Sequence, residues 1–112
     1  MSKRYYNLFL KDIRDYSKKI LEYTEKKTFG DFTGNQMLID AVIRNLEVIG
    51  EAVKNLPDNE RAKYNNINWK KVAGLRDILI HEYFGIDYEI LWDIIQNKIP
   101  DLHNKIEEIL KK

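Results

Sequence analysis

The sequence predicts an all-α protein, a four-to-five-helix up-down bundle. Two observations carry the prediction. Apolar residues recur at three- and four-residue steps along nearly the whole chain, the period of helices with one buried face. No stretch alternates like a strand for more than a few residues. Only two prolines and five glycines punctuate the 112 residues, and the short loops this implies favour antiparallel neighbours. A chain of this length is one domain, residues 1–112, able to bury roughly 60–70% of its unfolded surface.

The first helical segment runs from about Lys3 to Lys27, with Tyr6, Phe9, Leu10, Ile13, Tyr16, Ile20, Leu21 and Tyr23 in register. "TFGDFTGN" interrupts it with two glycines and a possible cap. The second segment opens near Asn35 and stops before Pro57, with Leu38, Ile39, Val42, Ile43, Leu46, Ile49 and Val53 on its apolar side. "PDNERAKYNNIN" reads as a turn holding one short helix. The third segment spans Trp69 to about Phe84. The last follows "GID", where Asp87 is a good N-cap, and runs to the C-terminus. Pro100 lies inside it and should kink or break it. Tyr5, Tyr6, Tyr16 and Tyr23 lie on a basic helix, where interleaved aromatics can stack on single-stranded nucleic acid. Most fall on the apolar stripe, so core or dimer packing is their expected role. His103 has no nearby partner pattern and is expected to be a surface or packing residue, and "KKTFG" a solvated helix end.

Composition excludes several classes. There is no cysteine, so disulfides and thiolate metal sites are ruled out, and two histidines far apart argue against a His-rich metal site. No metal or other cofactor is called for. The charged N-terminal stretch does not resemble a secretory signal. No apolar run approaches the roughly 20 residues needed to span a bilayer. The expected location is the cytoplasm, with no membrane partner. Net charge is +1, yet residues 1–30 carry +4, 31–60 carry −4, 61–85 carry +3 and 86–112 carry −2. Alternating basic and acidic segments either form a basic groove for nucleic acid or pair with each other.

One stretch stands apart: "RDILIHEY", Arg76 to Tyr83. On a wheel of about 100° per residue, Val72, Leu79, Ile80 and Tyr83 fall within about 60° of Arg76, while Asp77 and His81 lie together to one side. Arg76 therefore sits within an apolar stripe, which is costly unless something negative meets it. That partner could be a carboxylate such as Glu47 or Glu51, a second subunit, or a phosphate gripped by the guanidinium fork. Asp77 is placed to hydrogen-bond the His81 ring across one turn and set its tautomer. A base, an acid and a cation are the parts needed to cleave RNA without a metal. One histidine cannot easily make both proton transfers in one pose, whereas two copies facing each other could.

The stretch resembles the Arg-x4-His-x-Tyr signature of the HEPN superfamily. "RNLEVIGEA" upstream, the tryptophan before "GLRDILIHEYFGID", "LW" soon after and a proline in the last helix resemble its HepT-type branch. The likeness covers nearly the whole chain. It implies a helical homodimer with the two motifs facing across a cleft, and an endoribonuclease toxin of a type VII-like toxin–antitoxin system. It also implies a cognate MntA-like nucleotidyltransferase antitoxin that silences the toxin by AMPylation. By position, Arg76 would bind the scissile phosphate and His81 would be the general acid/base. Asp77 would orient His81 or the RNA substrate, and Tyr83 would accept AMP. Arg44, Glu47 and Glu51 match the second-helix motif and would support the cleft or the dimer seam. Two other readings stand beside this one. One is a non-catalytic interaction or nucleotide-binding module partnering a nucleotidyltransferase. The other is a plain helical dimer in which Arg76 pairs with an acidic residue of the second helix.

Overall fold

The computed structural model describes residues 3–81 and 85–111, the side chains of Lys3, Arg4, Asp77, Ile78, Ile80 and His81 excepted. Every regular element among them is helical. In chain order they are α1 (Lys3–Thr24), α2 (Phe29–Thr33), α3 (Gln36–Asn55), α4 (Asp58–Arg61), α5 (Trp69–His81), α6 (Tyr88–Asp93), a π-helical turn (Ile94–Lys98) and α7 (Ile99–Lys111). The all-α bundle expected from periodicity is therefore present. No helix among the described residues is long and apolar enough to cross a membrane.

α3 is the central helix, packed against α1 on one side and α5 on the other, while α7 lies against α1. Its apolar side explains the position. Leu38, Ile39, Val42, Ile43, Leu46, Ile49, Ala52 and Val53 are all buried, at spacings that keep them on one face. Asn35 caps its start, the side-chain oxygen accepting from the Leu38 amide at 3.1 Å. α1 contributes Leu10, Ile13 and Ile20 to the same core, and α7 contributes Ile99, Leu102 and Ile106.

Three expectations need correction. The first helix stops at Thr24 rather than Lys27, because Lys26 adopts the left-handed conformation with φ 59°. That geometry costs a non-glycine residue about 1–2 kcal/mol and ends the helix. The glycine-containing break is itself structured. Thr28 and Asp31 form a capping box, each side chain bonded to the other's amide at 3.0 and 2.9 Å, which starts α2 and drops Phe32 into the core beside Trp92. The last segment, expected to kink or break at Pro100, is not broken there but stays helical from Tyr88 to Lys111, with an irregular turn just before the proline. Proline has no amide to offer the carbonyl four residues back, and its ring crowds that carbonyl. The π turn just ahead, with the Ile99 amide donating to the Ile94 oxygen, widens the helix where that crowding would fall.

Loop and helix ends are tied by side chains. The indole of buried Trp69 donates to the Tyr64 and Arg61 carbonyls at 2.9 and 3.0 Å. Asn68 caps α5 by accepting from the Lys71 amide. His103 is the packing residue the sequence suggests, and it has two partners. Its Nδ1 lies 3.0 Å from Oγ of fully buried Ser17 on α1, and its Nε2 lies 3.3 Å from Glu107 one turn on.

Candidate active site

Arg76 occupies the middle of α5, and α3 decides where it points. Gly50 lies in α3 where the two helices meet. A Cβ built on Gly50 would sit 2.6 Å from the Cβ of Arg76 and 3.2 Å from its amide nitrogen. Only a residue without a side chain permits this approach. The next residue, Glu51, then meets the guanidinium directly, Oε2 lying 2.6 Å from Nε. Of the partners left open by sequence, Glu51 rather than Glu47 is the carboxylate that pairs with Arg76. The pair is only partly covered, with side-chain exposures of 33% for Arg76 and 52% for Glu51. Its net contribution to stability is therefore about 0.2–1 kcal/mol, and its main effect is to orient the guanidinium.

The pair lies in a groove of about 310 Å³ along the outer face of α3. Arg44, Glu47, Glu51 and Asn55 form its floor, Phe9 and Asp12 enter from α1, and Arg76 enters from α5. The α3 residues share a face because their spacings of three, four and seven return to the same side of a helix, opposite Val42, Leu46, Ile49 and Val53. Arg44, Glu47, Glu51 and Arg76, all singled out by sequence, are thus brought into one site. Phe9, Asp12 and Asn55 were missed. Phe9 falls on the apolar stripe of α1 and is indistinguishable there from a core residue. Gly50 was legible as a glycine inside a strongly helical pattern, a common mark of close backbone approach.

His81 ends α5, five residues and about 7.5 Å of helix beyond Arg76. The side chains of Asp77 and His81, and all of Tyr83, lie outside the described residues. Among the described residues no group of three His, Cys, Asp or Glu side chains is placed to hold a metal ion. The groove holds two guanidinium groups and three carboxylates. Chemically it offers an oriented arginine on α5 for an anion, a second cation, Arg44, on α3, and an aromatic wall.

The Arg-x4-His signature thus lies on a helix of an all-α bundle, as the resemblance to the HEPN superfamily implies. The chain belongs to the HepT-like family within that class: residues 13–109 match the family described as "Ribonuclease HepT-like". Three curated relatives are matched over more than nine-tenths of their own length. It is 51% identical over 111 residues, 99% of this chain and 92% of the relative, to "Putative RNase MJ0127" of Methanocaldococcus jannaschii. It is 44% identical over 104 residues, 93% of each chain, to "Putative RNase TTE0752" of Caldanaerobacter subterraneus subsp. tengcongensis. It is 40% identical over 109 residues, 97% of this chain and 99% of the relative, to "Probable ribonuclease HepT" of Thermococcus cleftensis. No solved structure matches the chain at a significant level.

Proposed function

We propose that the chain is a metal-independent endoribonuclease that acts as the toxin of a type VII-like toxin–antitoxin pair. The observation that carries the reading is Arg76, held by Glu51 at 2.6 Å in an open groove on a chain of a ribonuclease family. In the proposed reaction a base takes the proton of a ribose 2′-OH. The freed oxygen attacks the adjacent phosphorus, the bond from phosphorus to the 5′ oxygen breaks, and an acid protonates that leaving oxygen. The products are a 2′,3′-cyclic phosphate and a 5′-hydroxyl. Arg76 balances the charge that builds on the phosphoryl oxygens. His81 makes one proton transfer and its counterpart in a second copy makes the other, which is the reason for a homodimer. Asp77 sets the His81 tautomer.

Silencing follows from Tyr83. A cognate nucleotidyltransferase antitoxin brings ATP, the tyrosine oxygen attacks the α-phosphorus, and pyrophosphate leaves. The resulting adenylate puts negative charge and bulk beside Arg76 and repels the RNA backbone.

The test uses purified protein shown by intact mass to carry no adenylate, incubated with mixed RNA in EDTA beside His81→Ala. Cleavage by the parent and not by the variant is expected, and retained cleavage in His81→Ala removes His81 from the mechanism. With ATP and the cognate nucleotidyltransferase, AMP should add to the parent but not to Tyr83→Phe, with cleavage lost in step. The Arg76–Glu51 pair also favours a second reading, a non-catalytic module partnering the nucleotidyltransferase, since it already neutralises the arginine within the fold. A stable complex with that enzyme and no cleavage by the free protein would favour this second reading.

A further inference from the structure

The groove contains more than the arginine–glutamate pair. Phe9 of α1 lines it, and the ring of Tyr5 packs edge-on against Phe9 at 5.1 Å and 87°, which limits the ways Phe9 can turn. Arg44 is exposed on the same face of α3, and among the described residues it makes no ion pair. Six residues of helix separate Arg44 from Gly50, where Arg76 makes its close approach, an axial distance of about 9 Å. At that separation, long arginine side chains can reach phosphates one or two nucleotides apart on an extended strand.

We propose that this groove binds single-stranded RNA, with one base stacked on Phe9 and a second phosphate held by Arg44, beside the phosphate at Arg76. The nuclease reading above supplies only which phosphate is cut. The arrangement argues for a single strand. A base inside a duplex has no free face to offer a ring, and 310 Å³ is a nucleotide-sized space. Stacking on an aromatic ring accepts any base, so Phe9 makes the groove selective for unpaired strand more than for sequence. The carboxylates of Asp12, Glu47 and Glu51 make the rest of the groove unfavourable for backbone. Phosphate is favoured only at the two arginines, and the strand is thereby held in one register. Phe9 and Arg44 are positioning residues in this scheme.

The probe is a mixed-sequence single-stranded 2′-O-methyl oligonucleotide, whose blocked 2′ oxygen cannot attack. Binding by fluorescence anisotropy is compared for the parent, Phe9→Ala, Phe9→Leu, Phe9→Trp and Arg44→Gln across a salt series, with far-UV circular dichroism reporting the fold. Phe9→Ala should bind roughly 5- to 150-fold more weakly. Phe9→Leu keeps apolar bulk for folding yet loses the ring, so it should weaken binding in the same direction, while Phe9→Trp should not. Arg44→Gln should lower the slope of log affinity against log salt by about 0.7. A duplex of the same sequence should compete poorly. The proposal is overturned if the parent does not bind, if the duplex competes as well as the strand, or if folded Phe9→Leu and Arg44→Gln bind like the parent. Cleavage of natural RNA is scored in parallel. Cleavage with unaltered binding in both variants sinks the groove and leaves the nuclease standing. Phe9- and Arg44-dependent binding without cleavage by the parent does the reverse.

Discussion

Gly50→Ala sets two effects of opposite sign against each other. In a mid-helix position with open space, alanine stabilises by about 0.5–1 kcal/mol relative to glycine. At Gly50 the added Cβ would lie 2.6 Å from the Arg76 Cβ, 3.2 Å from its amide nitrogen and 3.4 Å from its Cα. Ordinary carbon contact is about 3.5–4.0 Å, so α3 and α5 must part by about 1 Å. The clashing atoms belong to backbone and Cβ, not to the flexible end of a side chain, so no rotamer change relieves them. Overpacking of this kind costs about 1–3 kcal/mol, leaving a net destabilisation of roughly 0–2.5 kcal/mol. The functional effect should be larger. Displacing Arg76 by about 1 Å disrupts a 2.6 Å contact with Glu51, and misplacement on that scale lowers rates about 100-fold. Gly74, in α5, is the control, because a Cβ there meets nothing within 4 Å. Gly74→Ala should therefore stabilise by about 0.5–1 kcal/mol. Urea denaturation followed by circular dichroism, paired with RNA cleavage, reads both quantities. If Gly50→Ala gains stability as Gly74→Ala does and cleaves RNA at the parental rate, the close approach of α3 and α5 is not what positions Arg76.

Three other substitutions test the same pair and two contacts outside the groove. Glu51→Gln should change stability by no more than about 1 kcal/mol, since the ion pair is partly exposed, yet lower RNA cleavage roughly tenfold or more by releasing Arg76; equal loss in Glu47→Gln would show that the pairing itself is unimportant. His103→Ala should destabilise by about 0.5–1.5 kcal/mol in chemical denaturation, because it removes the ring partner of the buried Ser17 hydroxyl, which still donates to the Arg14 carbonyl at 2.9 Å; an unchanged midpoint would rule out the Ser17–His103 contact. Asp31 is held below its ordinary value of 3.8 by bonds from the Thr28 backbone and side chain, so its stabilisation is present above that value and lost as pH falls through the lower folded one; Asp31→Asn should flatten that part of the acid limb of stability against pH, and an identical limb would refute the capping box.

Much of the fold was legible because helices are specified locally. The three- and four-residue spacing of Leu38 through Val53, the caps at Asn35 and Asp87 and the stop at Pro57 act within a few residues, and each appears where the sequence put it. The family motif, not local arithmetic, singled out Arg44, Glu47 and Glu51, whereas the Arg76-to-His81 spacing could be read directly. Local arithmetic did not show the π turn before Pro100, because whether a helix breaks or widens at a proline depends on what the flanking residues are packed against.

By itself the sequence determined an all-α chain, the helix that bears Arg76, and the family signature on it. Only the tertiary structure decided which atoms meet. Glu51 rather than Glu47 faces Arg76 because α3 and α5 cross at Gly50. Phe9 and Asp12 join the groove because α1 packs on the same central helix, and His103 finds Ser17 across 86 residues of chain. Such meetings are set by the relative placement of helices, which arises from close packing of side chains far apart in sequence, and no periodicity within one segment encodes it.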